Sequence, residues 1–583
     1  MSTAMDFSAH GRMPLEAGSR LGNALRGVLD YGAIGTLLIL MTLFVGLPVA
    51  FVIISAVLND PLDVTSGLTF AAVRSVYTSA EIWHAAWQTI AMSVLVAVAS
   101  TALGGLLAWV VTRLRLPAAG FLEMLIVIPL FLSPLVGAIA WVALAAPRSG
   151  ILNDLLAMMN APEWMRFDVM SLTGIAFVMI FHYVPYGFLF LSSALRNTDA
   201  NLEEASYMCG GSVPNTALRI VLPLLRSSSL SSILFISILA SGEFSVPAVL
   251  GAQGAYEPLA VHLYEAIYGF PQDFSRATAI GTMMIIVSLT AFYFYRRSVR
   301  SASRFVTVTG RGFATRRINP GRWKFPILAV FGIYTFISVI LPYLALLFIC
   351  FTRFRTGDLA TTEFTLYNVM TVIAQPDVRS AIFNTIELAM IVPAICVVIG
   401  LLLVYLHERL KLPGAGLATY IATAPIAISG IVFATGVFVI YIRTPLYGTV
   451  WLIAVALVAH YLAHTVRITS NGLKQIDVAL EEAAQINGAS RLQVLFSILA
   501  PLIRPSVFSA FILIYVFTVR EVNTSILLYS PSSLLLSVLS WNYQADGSLA
   551  QAAVVGMVQT VLMILGIILA RLVLGVSTTK STM

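Results

Sequence analysis

Charged residues are scarce in this chain. Asp, Glu, Lys and Arg make up 10% of its 583 residues, hydrophobic residues make up 59%, and the mean hydropathy is +0.91. Soluble domains carry about 25% charged residues. The deficit excludes a soluble globular protein and predicts that most of the chain lies in lipid.

Cysteine is also rare, and the signatures of catalysis are missing. Cys209, Cys350 and Cys396 lie too far apart to predict a disulfide framework or a metal site. No phosphate-binding loop of the form Gly-x-x-x-x-Gly-Lys-[Ser/Thr] occurs, and no nucleophile stands at a catalytic spacing from a base. We therefore expect neither an enzyme nor a chain that itself binds a metal or a cofactor.

Long apolar segments dominate what is present. A membrane-spanning helix needs about 20 apolar residues. Segments of this length are too long and too little alternating for barrel strands, so an all-α polytopic membrane protein is predicted. The twelve predicted spans are 33–57, 84–112, 119–145, 173–193, 229–250, 276–295, 325–351, 381–406, 414–440, 449–470, 507–529 and 549–574. The first 32 residues are polar and lack the short apolar core of a cleaved signal peptide.

The basic residues predict the orientation of the spans, because Lys and Arg near span ends tend to stay cytoplasmic. With the N-terminus inside, 24 of the 34 Lys and Arg residues fall in inside segments and 8 in outside loops. Both termini are therefore expected in the cytoplasm. Segment 296–324 holds nine of these positive charges and no acid, which predicts an anchor against anionic headgroups or, alternatively, a specific lipid or regulatory role. This distribution argues against a nucleic-acid partner, despite the net charge of +7.

The chain repeats itself. Residues 202–228 and 480–506 are identical at eleven of 27 positions, a shift of 278 residues. Earlier in each half the shift is 296, which matches residues 114–120 with 410–416. Each half holds six predicted spans, so the two halves have the same orientation. Two parallel six-helix halves, related by an axis along the membrane normal, are predicted.

A polar part of the repeat falls between spans four and five of each half. Asp199 or Asp477 can cap the start of a short helix, and Gly210 or Gly488 can end it. A second helix follows, which in the second copy opens with a Ser-x-x-Gln capping box at 490–493. The pattern predicts a helix–glycine–helix bend below the membrane.

We call residues 199–223 the first elbow and residues 477–501 the second elbow. An amphipathic loop that only covers the inner face of the helices is one interpretation. The presence of two copies at matching positions favours a docking surface for a cytoplasmic partner that touches both halves alike.

The elbows resemble the cytoplasmic-loop signature of permease subunits of binding-protein-dependent ATP-binding cassette (ABC) importers. That signature is Glu-Ala-Ala, three residues, Gly, nine residues, Ile-x-Leu-Pro, and residues 204–223 and 482–501 follow it. Ser206 replaces an alanine and Ala500 replaces the leucine. The resemblance covers both halves, nearly the whole chain beyond residue 80.

The resemblance implies a type I ABC importer permease fold in the bacterial inner membrane, with each elbow acting as a coupling helix. It implies two copies of a cytoplasmic ATPase, which hold ATP and Mg²⁺, and a periplasmic solute-binding protein as partners. Fusion of both halves is most like ferric-iron permeases, with thiamine, aminoethylphosphonate and polyamine systems as alternatives. The coupling residues implied are Glu203, Glu204, Ala205, Gly210, Glu481, Glu482, Ala483 and Gly488.

Ionisable residues inside spans usually face a cavity or a partner. Two acids and two histidine–tyrosine pairs occupy repeated positions within predicted spans and are candidates for a cation pathway. They are Glu243, Glu521, His182, Tyr183, His460 and Tyr461. The alternative is structural: the acids satisfy backbone groups at a helix break, and the histidines hydrogen-bond between helices.

Rival functions are a secondary transporter of twelve spans, a membrane scaffold without transport and, least supported, an embedded enzyme. The Gly-x-x-x-Asp-Arg-x-Gly-Arg-Arg loop of the major facilitator family is absent between spans two and three. The expected divisions are a cytoplasmic segment 1–32, a first permease domain 33–295, a linker 296–324, a second permease domain 325–574 and a cytoplasmic tail 575–583.

Overall fold

A computed structural model describes residues 31–198, 200–251, 254, 256–302, 318–353 and 363–574. The expectations for the N-terminal segment, for the cap at Asp199, for most of the linker and for the C-terminal tail lie outside the described residues.

Membrane-length helices form most of this part of the chain. Eight are continuous, and four more are pairs of helices with a bend between them, which gives the predicted twelve spans if each pair counts as one. In chain order, spans one to twelve are Tyr31–Ser55, Ala80–Arg113, Ala119–Phe131 with Pro134–Ala145, Leu172–Arg196, Ala217–Leu224 with Arg226–Ser241, Phe274–Val299, Gly321–Phe351, Pro376–Arg409, Ala415–Ala427 with Gly430–Tyr441, Val450–Leu473, Val494–Leu502 with Arg504–Arg520, and Leu549–Ala570.

The bent spans are the third and the fifth of each half. The third spans bend by 91° and 117°, and the fifth by 59° and 76°. In each third span the leg before the bend ends in a 3₁₀ turn that contains Pro129 or Pro425. Proline lacks an N–H and clashes with the preceding turn, so it breaks the helix at equivalent positions. The repeat is therefore visible in the geometry as well as in the sequence.

The fifth spans end earlier than the hydropathy predicts. The helices Arg226–Ser241 and Arg504–Arg520 stop short of the predicted limits at residues 250 and 529. Non-helical residues follow each one, and then the short buried helices Ser245–Leu250 and Ser525–Leu528. The prediction was wrong here because hydropathy measures apolar composition and does not detect a backbone break inside a buried apolar stretch.

The first span of each half packs against the other half. In one direction Tyr441 Oη donates to the Leu43 carbonyl at 3.1 Å, and a Cβ on Gly436 would lie 2.1 Å from the Pro48 carbonyl oxygen. In the other direction Tyr334 Oη donates to the Ile126 carbonyl at 3.2 Å. The two halves are therefore interlocked rather than merely adjacent.

Short elements connect the spans at the end of the bundle opposite to the elbows. Strands Leu58–Asp60 and Asp63–Leu68 form an antiparallel hairpin. The short helices at this end are Ala71–Thr78, Ile151–Met158, Leu259–Tyr268, Tyr367–Ala374 and Leu536–Ala545.

Candidate functional sites at two elbows and a central polar cluster

Both elbows have the predicted helix–glycine–helix form. The first begins with helix Ala200–Met208 and the second with helix Ala479–Ile486. Gly210 and Gly488 follow them in the left-handed region, with φ of +83° and +87°. A Cβ on either glycine would meet nothing within 4 Å, so backbone conformation, not crowding, explains the glycines.

Both predicted polar groups contact the helix starts of the second elbow, although Val478 and not Asp477 is the N-cap of helix Ala479–Ile486. Asp477 Oδ1 accepts a hydrogen bond from the Ala479 N–H at 3.0 Å. Ser490 and Gln493 form the reciprocal capping box, in which the Gln493 side chain accepts from the Ser490 N–H at 2.8 Å. These contacts define where each helix of the elbow begins.

A buried ion pair holds each elbow to the spans above it. Arg113 Nη2 lies 2.7 Å from Glu203 Oε1, and Arg409 Nε lies 2.9 Å from Glu481 Oε1. Arg113 and Arg409 end spans two and eight, and they are equivalent under the 296-residue shift. Neither arginine was among the site residues predicted from the sequence, although the 296-residue shift relates them.

Each arginine also contacts the end of the fourth span of its half. Arg113 donates to the Leu195 carbonyl at 3.0 Å and to Thr198 Oγ1 at 2.7 Å. Arg409 donates to the carbonyls of Leu473 and Ile476 at 2.8 and 2.7 Å. One guanidinium therefore joins two spans and the elbow helix into one unit.

Burial shifts the pKa of the glutamate in the second ion pair. Removal from water raises the pKa of Glu481, and the adjacent Arg409 guanidinium opposes that rise. Without Arg409, the negative charge of Glu481 at this buried position would be destabilised.

The two glutamates of each elbow have different surroundings. Glu203 and Glu481 are buried, with 8% and 5% of their surface exposed, whereas Glu204 and Glu482 are exposed together with Ala205 and Ala483. We call the exposed residues 204, 205 and 208 of the first elbow and 482, 483 and 486 of the second elbow the elbow faces.

Each elbow face carries a large apolar side chain in water. Met208 is 88% exposed, and Ile486, its equivalent in the repeat, is 85% exposed. The same combination of an exposed acid and an exposed apolar side chain is thus present on both elbow faces.

The side-chain contact across the bend differs between the two elbows. In the first, Ser206 Oγ and Thr216 Oγ1 share a hydrogen bond of 2.8 Å across the bend. The equivalent residues in the second elbow are Ala484 and Val494, and Val494 is fully buried. A hydroxyl pair in one half is thus replaced by apolar packing in the other.

The pathway candidates meet where spans five and eleven end. Glu243 Oε1 accepts from the Ser245 N–H at 3.0 Å, and Glu521 Oε1 accepts from the Thr524 N–H at 2.7 Å. Both carboxylates therefore satisfy backbone groups at a helix break, as the structural alternative predicts. Their second oxygens remain for other partners.

The predicted tyrosines supply those partners. Tyr183 Oη donates to Glu243 Oε2 at 3.4 Å, and Tyr461 Oη donates to Glu521 Oε2. Within the described residues no hydrogen bond joins His182 or His460 to either glutamate; the ring of His460 packs against Phe433, with the ring centroids 6.0 Å apart. The structure thus joins four of the six candidates in two glutamate–tyrosine pairs, which we call the central cluster. The two histidines lie next to these tyrosines in the chain and are not hydrogen-bonded to the glutamates.

Arg520 lies in the same cluster and was not among the predicted site residues. Its guanidinium donates to the Leu130 carbonyl of the first half and lies 5.0 Å from the Phe517 ring centroid. Gly242 holds the equivalent position in the first half, where a Cβ would lie 2.3 Å from Ser429 Cβ. At this position the second half contacts the first through a cationic side chain. The first half contacts the second through a close approach of the backbone at a glycine.

The described ranges contain no group of three or more His, Cys, Asp or Glu side chains placed to hold a metal ion. The cluster offers carboxylate and phenol oxygens in pairs.

The chain resembles known transport proteins over most of its length. The profile of the family described as binding-protein-dependent transport system inner membrane component matches residues 100–304 and 378–576. The chain is 25% identical over 543 residues to the ferric transport system permease protein FbpB of Actinobacillus pleuropneumoniae, covering 91% of this chain and 76% of the relative.

Two further relatives are informative. The chain is 26% identical over 478 residues to a putative ferric transport system permease protein FbpB 1 of Haemophilus influenzae, covering 80% of this chain and 74% of the relative. It is 28% identical over 213 residues to the sulfate transport system permease protein CysW of Escherichia coli, covering 36% of this chain and 71% of the relative.

Proposed function

The chain belongs to the family of binding-protein-dependent transport system inner membrane components, and we propose that it is the permease of an ATP-driven importer that carries ferric iron from the periplasm to the cytoplasm. Two copies of a separate ATPase bind the two elbow faces, and a periplasmic binding protein delivers the iron at the opposite end. ATP and Mg²⁺ are held by the ATPase. The divisions at 33–295 and 325–574 are the two permease domains in this proposal.

The observation that carries the proposal is the pair of elbow faces. Each is exposed, each presents an acid and a large apolar side chain, and each is joined to the ends of two spans by an arginine, Arg113 buried and Arg409 12% exposed. A partner that moves an elbow therefore moves the ends of spans two and four, or eight and ten, with it. This is a direct mechanical connection from a docking surface to the bundle.

Two identical partners fit two equivalent faces. Because the halves are related by an axis along the membrane normal, both faces point to the same side of the membrane. Closure of an ATPase dimer on ATP brings both elbows together and rocks the halves about the cluster at the ends of spans five and eleven. Glu243, Tyr183, Glu521 and Tyr461 line the pathway there.

Ferric iron is proposed because the relatives named for ferric transport extend over 91% and 80% of the chain, including both halves. Sulfate is a second candidate, favoured by the sulfate permease relative and by the cationic Arg520 within the cluster. The ferric transport relatives are the stronger argument, because they match 91% and 80% of the chain, whereas the sulfate relative matches 36%.

Reconstitution tests the proposal. The chain, its ATPase and the binding protein encoded beside it are placed in vesicles, and uptake of radioactive iron or sulfate from the binding protein is followed. We expect iron uptake that needs ATP on the elbow side. Uptake driven by an ion gradient without ATP would exclude the importer, and sulfate uptake without iron uptake would replace the substrate.

A further inference from the structure

A cavity of about 680 Å³ lies between the two halves near their elbow-side ends. Its walls come from spans five and six of the first half and from spans eight, nine and ten of the second. Most of the wall is apolar or aromatic, with contributions from Leu289, Phe292, Tyr420 and Ile426. A cavity of this volume is large enough for part of a lipid or a drug-sized molecule.

Two arginines stand on the wall of this cavity. Arg296 lies on span six and Arg467 on span ten, both exposed, and Arg467 Nη2 lies 3.3 Å from the Tyr295 hydroxyl. Across the described part of the chain, neither guanidinium forms an ion pair with a carboxylate. The cavity therefore contains two guanidinium groups whose N–H donors are not engaged by a carboxylate.

The acid on the wall is already engaged. Glu408 Oε1 lies 3.3 Å from Lys474 Nζ and accepts from Ser470 Oγ at 2.5 Å. It satisfies those two groups and does not neutralise the arginines. An anionic ligand would meet an excess of positive charge.

The depth of the arginines fits a headgroup. Arg296 lies three residues before Val299, the end of span six, and Arg467 lies six residues before Leu473, the end of span ten. At 1.5 Å per residue these positions are about 5 and 9 Å from the helix ends. Arginine side chains that close to the helix ends are long enough to extend their guanidinium groups toward the headgroup level.

The arrangement is not a requirement of the duplicated fold. The residue equivalent to Arg467 in the first half is Leu189, which is 44% exposed. The repeated packing of span ten therefore does not require an arginine at position 467.

We propose that this cavity binds an anionic phospholipid, whose phosphate is held by Arg296 and Arg467 and whose acyl chains lie along the apolar wall. Arginine matches phosphate with two parallel hydrogen bonds, which favours it over lysine in such a site. A lipid rather than free phosphate is the occupant because most of the wall is apolar. Its walls belong to both halves, so a bound lipid stabilises one separation of the halves over others.

The test is a lipid titration of the purified full-length chain in detergent, with bound lipid counted by native mass spectrometry. We expect phosphatidylglycerol to bind and phosphatidylcholine to bind at least about tenfold more weakly. The double variant Arg296→Gln/Arg467→Gln is expected to lose at least about tenfold in affinity for phosphatidylglycerol. The variant Arg296→Lys/Arg467→Lys should bind more weakly than the parent chain but more tightly than the glutamine variant, because lysine keeps the charge and loses the two parallel hydrogen bonds.

The matched control removes two exposed charges elsewhere on the elbow side, as Arg219→Gln/Lys411→Gln. Equal loss in this control would mean general attraction to a positive surface and would overturn the site. A variant that keeps both arginines but fills the cavity, Ala424→Trp, should also lose phosphatidylglycerol, and retained binding would contradict the proposal. Displacement of the lipid by millimolar inorganic phosphate would instead identify a free-phosphate site. Melting temperatures of all variants check that they are folded.

Discussion

Ser245 donates a hydrogen bond to Asn523 Oδ1 at 3.2 Å, and these two residues occupy equivalent positions of the repeat, 278 residues apart. A contact between equivalent residues of two copies lies on the symmetry axis that relates them. The pseudo-two-fold axis therefore passes between Ser245 and Asn523. Glu243 and Glu521 lie two residues away on either side, so the central cluster surrounds the axis.

A cross-link on the axis should hold the halves together. The double variant Ser245→Cys/Asn523→Cys, made with Cys209→Ser, is expected to cross-link with an oxidant or a short bifunctional thiol reagent. Uptake should then stop, because the halves cannot separate at the axis, and should return on reduction where the link is a disulfide. Each single cysteine variant is the control. Full uptake by a cross-linked chain would show that the pathway does not pass here.

The buried ion pairs of the elbows are predicted to stabilise the fold. Arg113→Ala leaves Glu203 buried without its partner, and breaking such a pair typically destabilises by about 3–5 kcal/mol. Arg115 is exposed two residues later, so Arg115→Ala should stay within about 0.5 kcal/mol of the parent chain. Thermal unfolding in detergent measures the difference. Equal stability of the two variants would contradict a structural role for Arg113.

The exposed glutamates should act on coupling and not on folding. The double variant Glu204→Lys/Glu482→Lys reverses two charges on the elbow faces, which are open to water. We expect an unchanged melting temperature, weaker co-purification of the ATPase and at least about tenfold slower uptake, since charge reversal at an interface costs several kcal/mol. Glu163→Lys, on an exposed turn between spans three and four, serves as a charge-reversal control. Normal uptake by the double variant would remove the elbow faces from the coupling scheme.

The elbow glycines should tolerate asparagine better than valine. Gly210 and Gly488 have positive φ and open space around a would-be Cβ. The penalty for other residues therefore comes from the backbone, at about 1–2 kcal/mol per position, and asparagine reduces it. Uptake should fall in the order glycine, asparagine, valine at position 488. The reverse order for asparagine and valine would mean that contacts to a partner, and not the left-handed backbone, require glycine there.

Labelling of the native residue Cys209 tests on which side of the membrane the elbows lie. Cys209 is exposed at the tip of the first elbow, whereas Cys350 and Cys396 are buried. A membrane-impermeant maleimide should label Cys209 in inside-out vesicles and not in intact spheroplasts. Bound ATPase should protect it, and Cys209→Ser should abolish labelling. Labelling from the periplasmic side would reverse the predicted orientation.

Several features of this protein follow from the sequence alone. Twelve apolar segments predict twelve spans, because the length of a helix that crosses a bilayer leaves few alternatives. The repeat predicts two parallel halves, and the Glu-Ala-Ala signature predicts the bends at Gly210 and Gly488 and the family. These are local or periodic properties, which a linear pattern records directly.

Other features arise only in three dimensions. Adjacent glutamates such as Glu203 and Glu204 look alike in the sequence, and only the position of Arg113 makes one a buried anchor and the other a surface acid. Spans five and eleven end early, and Glu243 and Glu521 accept hydrogen bonds from backbone N–H groups just after the breaks. The contact between Ser245 and Asn523 and the cavity between Arg296 and Arg467 join residues far apart in the chain. Their meeting depends on how the spans pack, which apolar composition does not specify.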